Sequence, residues 1–304
     1  MSLRSDDARR GIALIFLSSA LFALMNATVK LLAGRLSPVE IGFFRQLVSL
    51  IPIAFVIMRE GGPAVLRTRR PIGHLFRGLI GNLGMIVIFL SIAWLPLADA
   101  TALSFSSPLF VTALSVPLLG EAVGLTRWSA VVAGFVGVII MTHPSGAWLG
   151  RGAGAGAGMG VLAGFMSALM MITIRQLSHT EPAVRIVFYF ASIGCLLFGA
   201  LLPFFWIWPT PWEWVGLIAI GLIGGLSQLS MTQAYRHAPA SVLAPFGYSS
   251  ILWSTLFGYL LWSELPGRRT LLGAAIVIAS GLVIVYREAR QRAIRKAEQL
   301  SMAE

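Results

Sequence analysis

Few residues in this chain have both the type and the setting to do chemistry, and those few sit inside long apolar runs. Asn26 and Lys30 lie four apart, so on a helix they share one face. Arg45 stands about seven residues into the second run, roughly 10 Å deep at the helical rise. Asn82 and Met85 fall in the third run, Ser104, Ser106 and Ser107 in the fourth, and Gln228 and Gln233 in the eighth. Polar groups in hydrocarbon tend to face the bundle interior or a water-filled cavity, where these amides and hydroxyls can hold a polar solute. The Arg45 guanidinium can take a carboxylate, and Tyr189, Tyr248 and Trp253 can supply apolar walls with a polar tip. Each also has a plainer use. Amides tie helices together, Arg45 can pair with Glu40 or cap carbonyls, Lys30 can snorkel to the interface, and the serines can bond back to their own helix.

Several chemistries are excluded by what is missing. The twelve acidic residues all fall in loops, tails or near the ends of apolar runs. No carboxylate then stands at mid-membrane for a proton relay or a bare cation, which predicts a neutral, zwitterionic or anionic solute moved by facilitated diffusion or exchange. His74, His143, His179 and His237 lack metal-ligand spacing. Neither a phosphate loop nor a Ser-His-acid set is present, and the single Cys195 builds neither a disulfide nor a thiolate metal site. The expectation is no cofactor, no metal and no enzyme, with an intramembrane lipid-modifying enzyme as a remote alternative.

The elements that must position these groups are set by composition. The chain has 304 residues, 57% hydrophobic and only 12% charged, with a mean hydropathy of +0.83. An ordinary soluble domain is about a quarter charged, and a spanning helix takes about 20 apolar residues. Ten spans are expected, near 11–33, 38–58, 75–95, 99–119, 126–143, 157–177, 184–207, 214–235, 239–262 and 270–286. Lys and Arg in the connections number 17 on one side, including Arg59, Arg67, Arg69, Arg70 and Arg77 of the second loop, and 4 on the other. The positive side faces the cytoplasm, so both termini are expected inside. The net charge of +11 is spread between apolar runs and reads as topology signals, with no nucleic-acid partner. Trp206, Trp208, Trp212 and Trp214 cluster as belt anchors. The Gly-rich stretch 144–156 reads as an external flexible joint, and the basic tail 287–304 as cytoplasmic and drawn to anionic lipid. The partners expected are a small-molecule substrate and the bilayer, with the chain a monomer or weak homodimer.

The halves repeat. Phe22–Lys30 lines up with Ser167–Arg175 at an offset of 145, Gly78–Leu83 with Gly221–Leu226 at 143, and Leu119–Glu121 with Trp262–Glu264 at 143. Asn82 then aligns with Gly225 and Met85 with Gln228. Five spans per half is an odd number, so the second half inserts in the opposite sense. The expected fold is an all-α integral membrane protein of ten transmembrane helices in two inverted five-helix repeats, 11–143 and 157–286, with a site at their interface.

Particular motifs also resemble a known family. Leu95-Pro96-Leu97-Ala98-Asp99-Ala100, Ser107-Pro108-Leu109 and Leu118-Leu119-Gly120-Glu121 are similar to the fourth-helix signature of the EamA family of the drug/metabolite transporter superfamily. So is Ala238-Pro239-Ala240-Ser241-Val242-Leu243 through Glu264, Gly273 and Gly281, and Phe43-Phe44-Arg45 looks like its arginine position. The resemblance covers almost the whole chain and is greatest to YddG-type amino-acid exporters. It implies a ten-helix carrier of the inner membrane exporting small metabolites, amino acids first, with vitamins, nucleotide-like compounds and drugs as alternatives.

Overall fold

The computed structural model describes residues 5–119, 124–142, 153–178, 180–237, 243 and 246–301, and all regular structure among them is helical. The first half comprises α1 (Ser5–Leu32), α2 (Pro38–Arg59), a 3-10 turn (Gly62–Leu66), α3 (Pro71–Trp94), α4 (Leu97–Ser104), α5 (Ser107–Leu119) and α6 (Leu125–Thr142). The second comprises α7 (Ala153–Ser178), α8 (Ala183–Phe205), α9 (Pro211–His237), α10 (Ser249–Trp262) and α11 (Arg268–Ser301). Eight described stretches are long and apolar enough to cross a membrane, and α6 adds a shorter apolar helix over Trp128–Met141. The ninth expected span lies partly outside the described residues, as do Glu121 and His143. Large apolar side chains such as Ile51, Phe55, Leu196, Leu252 and Leu260 point outward, as lipid-facing residues do.

Three boundaries depart from the sequence expectation, each for a local reason. α3 starts at Pro71, not 75, because proline suits the first helical position, where its missing N–H costs nothing. Arg77, counted above with a basic loop although the expected span already reached it, stands about two turns into α3 and is only 2% exposed. The fourth span breaks at Phe105 and Ser106 between α4 and α5; Pro108 has no N–H to return to the Ser104 carbonyl. The Gly-Ala run expected as a joint is helical from Ala153. Its Gly156 and Gly160 face Leu95 and Leu103, where added Cβ atoms would approach to 3.0 and 2.9 Å, so the small residues let α7 lie close on α3 and α4.

Helices of the two halves pack in matching pairs. α1 lies on α9 as α7 lies on α3, α2 on α9 as α8 on α3, and α2 crosses α8 while α6 crosses α11. The match extends to single residues. Buried Ile41, Gly42, Arg45, Gln46, Ser49 and Ile53 of α2 correspond, at the offset of 145, to buried Ile186, Val187, Phe190, Ala191, Gly194 and Phe198 of α8. Gly78 of α3 receives Ile193 of α8, and Gly221 of α9 receives Val48 of α2; both partners are equivalent at the same offsets. The break at Phe105 has its counterpart in the turn at Tyr248, 143 residues on, and those two rings stack with centroids 4.8 Å apart.

Candidate functional site

A cavity of about 380 Å³ lies among these helices. The first half contributes Asn26 from α1, Arg45 from α2, Arg77 and Met85 from α3, and Ser104 at the end of α4; the second contributes Met166 and Met170 from α7, Phe190 from α8 and Gln228 from α9. Most of the wall is apolar, with a few convergent polar groups, which is the usual make-up of a small-molecule site.

Arg45 is 5% exposed. Its Nη1 donates to Gln46 Oε1 at 2.9 Å, its Nε has no partner, and its guanidinium carbon lies 5.4 Å from the Phe190 ring centroid. The alternative pairing with Glu40 is not formed, since Glu40 Oε2 accepts instead from the Ile207 amide. Arg77 reaches the same ring at 4.5 Å, and its Nε and Nη1 have no partner. One ring therefore bears two cations, an arrangement favourable to each through the ring's electron-rich face. Nothing in the sequence reading singled out Arg77 or Phe190, although Arg77 fell inside the expected span 75–95 while being counted with the basic loop.

Six of the residues named from the sequence, Asn26, Arg45, Met85, Ser104, Ser107 and Gln228, come together on this cavity. The others are engaged elsewhere. Asn82 is fully buried beside it, accepting from Gln46 Nε2 and donating to the carbonyls of Gly78 and Phe190 at 2.8 and 3.1 Å, so it fastens α2, α3 and α8 together. Lys30 is ion-paired to Glu264, with Nζ 2.7 Å from Oε1, and donates to the Leu95 carbonyl at 3.1 Å. Tyr189 donates to Leu66 O at 3.1 Å and stacks on His74. Trp253 meets Phe16 edge-on at 5.3 Å, Tyr248 packs on Phe105, and Gln233 lies near the end of α9, half-buried.

The Lys30–Glu264 pair stands one helical turn beyond Asn26 and is not part of the cavity wall. Ser263 immediately before Glu264 holds a left-handed backbone, φ 56, uncommon for a residue with a Cβ, and this turn aims the carboxylate at Lys30. Beyond Asn26, Val29 and Leu32 of α1 and Leu36 of the connection after it join a packed cluster with Phe89, Leu217 and Ile220. In the other direction the cavity runs down α1 past Ser19 to Ile15.

Among the described residues no group of three His, Cys, Asp or Glu side chains is placed to hold a metal ion. The EamA-like transporter pattern matches residues 9–143 and again 154–286. The chain belongs to the EamA-like transporter family. A pseudopaline exporter of Pseudomonas aeruginosa is 31% identical over 287 residues, 92% of this chain and 97% of that one. An S-adenosylmethionine uptake transporter of Rickettsia bellii is 30% identical over 279 residues, 91% and 94% of the two chains. A solved structure at 18% identity shares the fold, with a TM-score of 0.64 over 95% of this chain and 99% of that one. This EamA-like chain is a multi-pass membrane transporter of small molecules, not an enzyme.

Proposed function

We infer that the chain is an inverted-repeat carrier of the cell inner (cytoplasmic) membrane that exports small metabolites, amino acids first among them, by alternating access. The observation that carries this reading is that the cavity lies where equivalent positions of the two halves meet: Arg45 on Phe190 and Phe105 on Tyr248. Contacts between equivalent residues are what a two-fold relation between repeats produces along its axis, and inverted-repeat carriers hold substrate there. The units are 11–143 and 157–286, joined by the external segment 144–156, with both termini and the tail 287–304 cytoplasmic. Moving Arg77 into α3 leaves the charge bias 16 to 4 in the same direction.

Asn26, Arg45, Met85, Ser104 and Gln228 contact the solute in this reading, while Asn82 holds the helices that present Arg45. In this reading the extension toward Ile15, with the packed segment beyond Asn26 at the other end, corresponds to a form closed outside and reaching toward the cytoplasm. Import or exchange of another small organic solute is the second reading, favoured by the uptake activity named for the Rickettsia relative. The test is counterflow in proteoliposomes with labelled amino acids, vitamins and nucleotide-like compounds. The expected result is uptake of one class, abolished by Gln228→Ala in protein that remains folded. Uptake no greater than in empty liposomes for every class would overturn the carrier reading.

A further inference from the structure

We propose that Arg45 and Arg77, set against Phe190, form a seat for a carboxylate group of the transported solute; this rests on reading the cavity as the transport site. Both side chains are at least nine-tenths buried, line the cavity, and hold their guanidinium carbons within 5.4 Å of one ring centroid. Among the described residues Arg77 makes no hydrogen bond or ion pair, and Arg45 makes only the one to Gln46. Nearby acceptors are already taken: Asn82 Oδ1 by Gln46, and Gln46 Oε1 by Arg45 itself.

The described carboxylates that approach these helices are committed elsewhere. Glu40 is turned to Ile207, Glu264 to Lys30, and Glu181 to Arg185 and Thr68. Two buried like charges thus face a cavity with no counter-charge among the described residues, although breaking the partner off a buried ion is among the costliest of changes. A ligand that carries the counter-charge resolves this, and a planar carboxylate matches the guanidinium fork in two parallel hydrogen bonds. The rest of the wall fixes the other end of the solute. Phe22, Met85, Phe89, Met166 and Met170 are apolar, and flexible thioethers accommodate varied shapes, so the seat takes an acid head on an apolar body.

The backbone makes room for this seat at two equivalent places. A Cβ on Gly81 would overlap the Arg77 guanidinium, and one on Gly224, 143 residues later, would stand 3.3 Å from Arg45 Nε. The counterparts of Arg45 and Arg77 in the second half are Phe190 and Ile220, so the seat is one-sided.

The experiment compares matched acid and amide pairs, leucine with leucinamide and succinate with succinamide, as competitors of counterflow by the full chain. The acid of a pair should compete at least about tenfold better, the factor expected for one charge-assisted hydrogen bond lost. Arg45→Gln and Arg77→Gln should each remove that preference, and Arg77→Lys should restore part of it. Equal competition by acid and amide, or a preference surviving both glutamine variants, would overturn the seat. If wild-type protein counterflows nothing, the carrier reading fails and the seat is judged by melting temperature in detergent. A rise with the carboxylates that is absent with the amides, absent in Arg45→Gln and Arg77→Gln, and partly kept in Arg77→Lys supports it. No rise, or an equal rise with chloride or phosphate, overturns it, the latter assigning the seat to inorganic anions.

Discussion

In the first half of the chain α2 and α3 bring Arg45 and Arg77 to the cavity; in the second, α8 and α9 bring Phe190 and Ile220 to the equivalent positions. Around these differences the packing is duplicated. Gly78 seats Ile193 where Gly221 seats Val48, and Gly81 and Gly224 each lie against a guanidinium. The difference separates two requirements. Close helix crossings need small residues whatever passes between them, so the crossings are kept in both halves. Binding a solute with a charged end and an apolar end needs unlike groups, and a second pair of arginines facing the first would only double a buried charge that nothing balances.

The sharpest way to break this comparison is to force the halves to be alike. Ile220 is fully buried in the cluster with Val29, Leu217 and Phe198. Ile220→Arg would bury a charge with neither cavity nor partner, and should lower stability by about 3–5 kcal/mol. It should be read as a large fall in melting temperature by tryptophan fluorescence or as loss of a monodisperse species in detergent. Arg77→Ile, the reverse exchange, should stay folded, since removing a buried unpaired ion is tolerated. A stable Ile220→Arg protein would mean that the two positions are not set apart by burial.

Next in size are the shared crossings. An added methyl at Gly221 would meet Val48 and come within 2.9 Å of the Phe44 carbonyl, and one at Gly78 would come within 2.6 Å of Ile193. Gly78→Ala and Gly221→Ala should therefore cost similar amounts, about 1–3 kcal/mol each for overpacking. Gly158 faces open space in α7, and Gly158→Ala should stabilise by up to about 1 kcal/mol through helix propensity. Unequal losses at 78 and 221 would show that the crossings are equivalent in sequence but not in tightness.

The Lys30–Glu264 pair tests whether the end beyond Asn26 is gated by charge. Both side chains keep some exposure, 11% and 29%, so Lys30→Met should cost no more than about 1 kcal/mol of stability. The larger effect should be on access: a cysteine at position 26 should react faster with an external impermeant thiol reagent in Lys30→Met than in the parent. An unchanged rate would mean that the packed segment Val29–Leu36 closes that end without the ion pair.

The all-helical, membrane-spanning character was legible because it rests on a property that sequence carries directly, the run lengths of apolar residues. Arg45 was legible as a charge inside a run. Arg77 was not, because its neighbours Arg69 and Arg70 make it read as the end of a basic loop at the edge of its span, whereas a helix starting at Pro71 sets it about two turns in. Asn82 and Gln228 look alike in sequence as amides in equivalent spans. What separates them is that Asn82 is turned to Gln46, Gly78 and Phe190 beside the cavity while Gln228 lines it, and side-chain direction across a helix contact is not written in spacing. Phe190 was passed over for the opposite reason, since a phenylalanine in an apolar run carries no signal until two guanidiniums are found beside it.

The smallest expected effect comes from the two loop corners, which use opposite chemistry at equivalent places. Between α1 and α2 the exposed Arg35 pairs with Glu213; between α7 and α8 the buried Glu181 binds Arg185 and Thr68 and lies 3.7 Å from His74. Burial alone would raise the Glu181 carboxyl, but hydrogen bonds from Arg185 and Thr68, with the charges of Arg185 and His74, hold it below its ordinary value of 4.5. A carboxyl depressed on folding contributes stability that is fully present above its unfolded value and is lost as pH falls through its folded value. Melting temperature should thus decline as pH is lowered below 4.5, and Glu181→Gln should be less stable than wild type at neutral pH while the two curves converge in acid. Parallel curves down to pH about 3 would show that the corner is held by its packing and not by this charge.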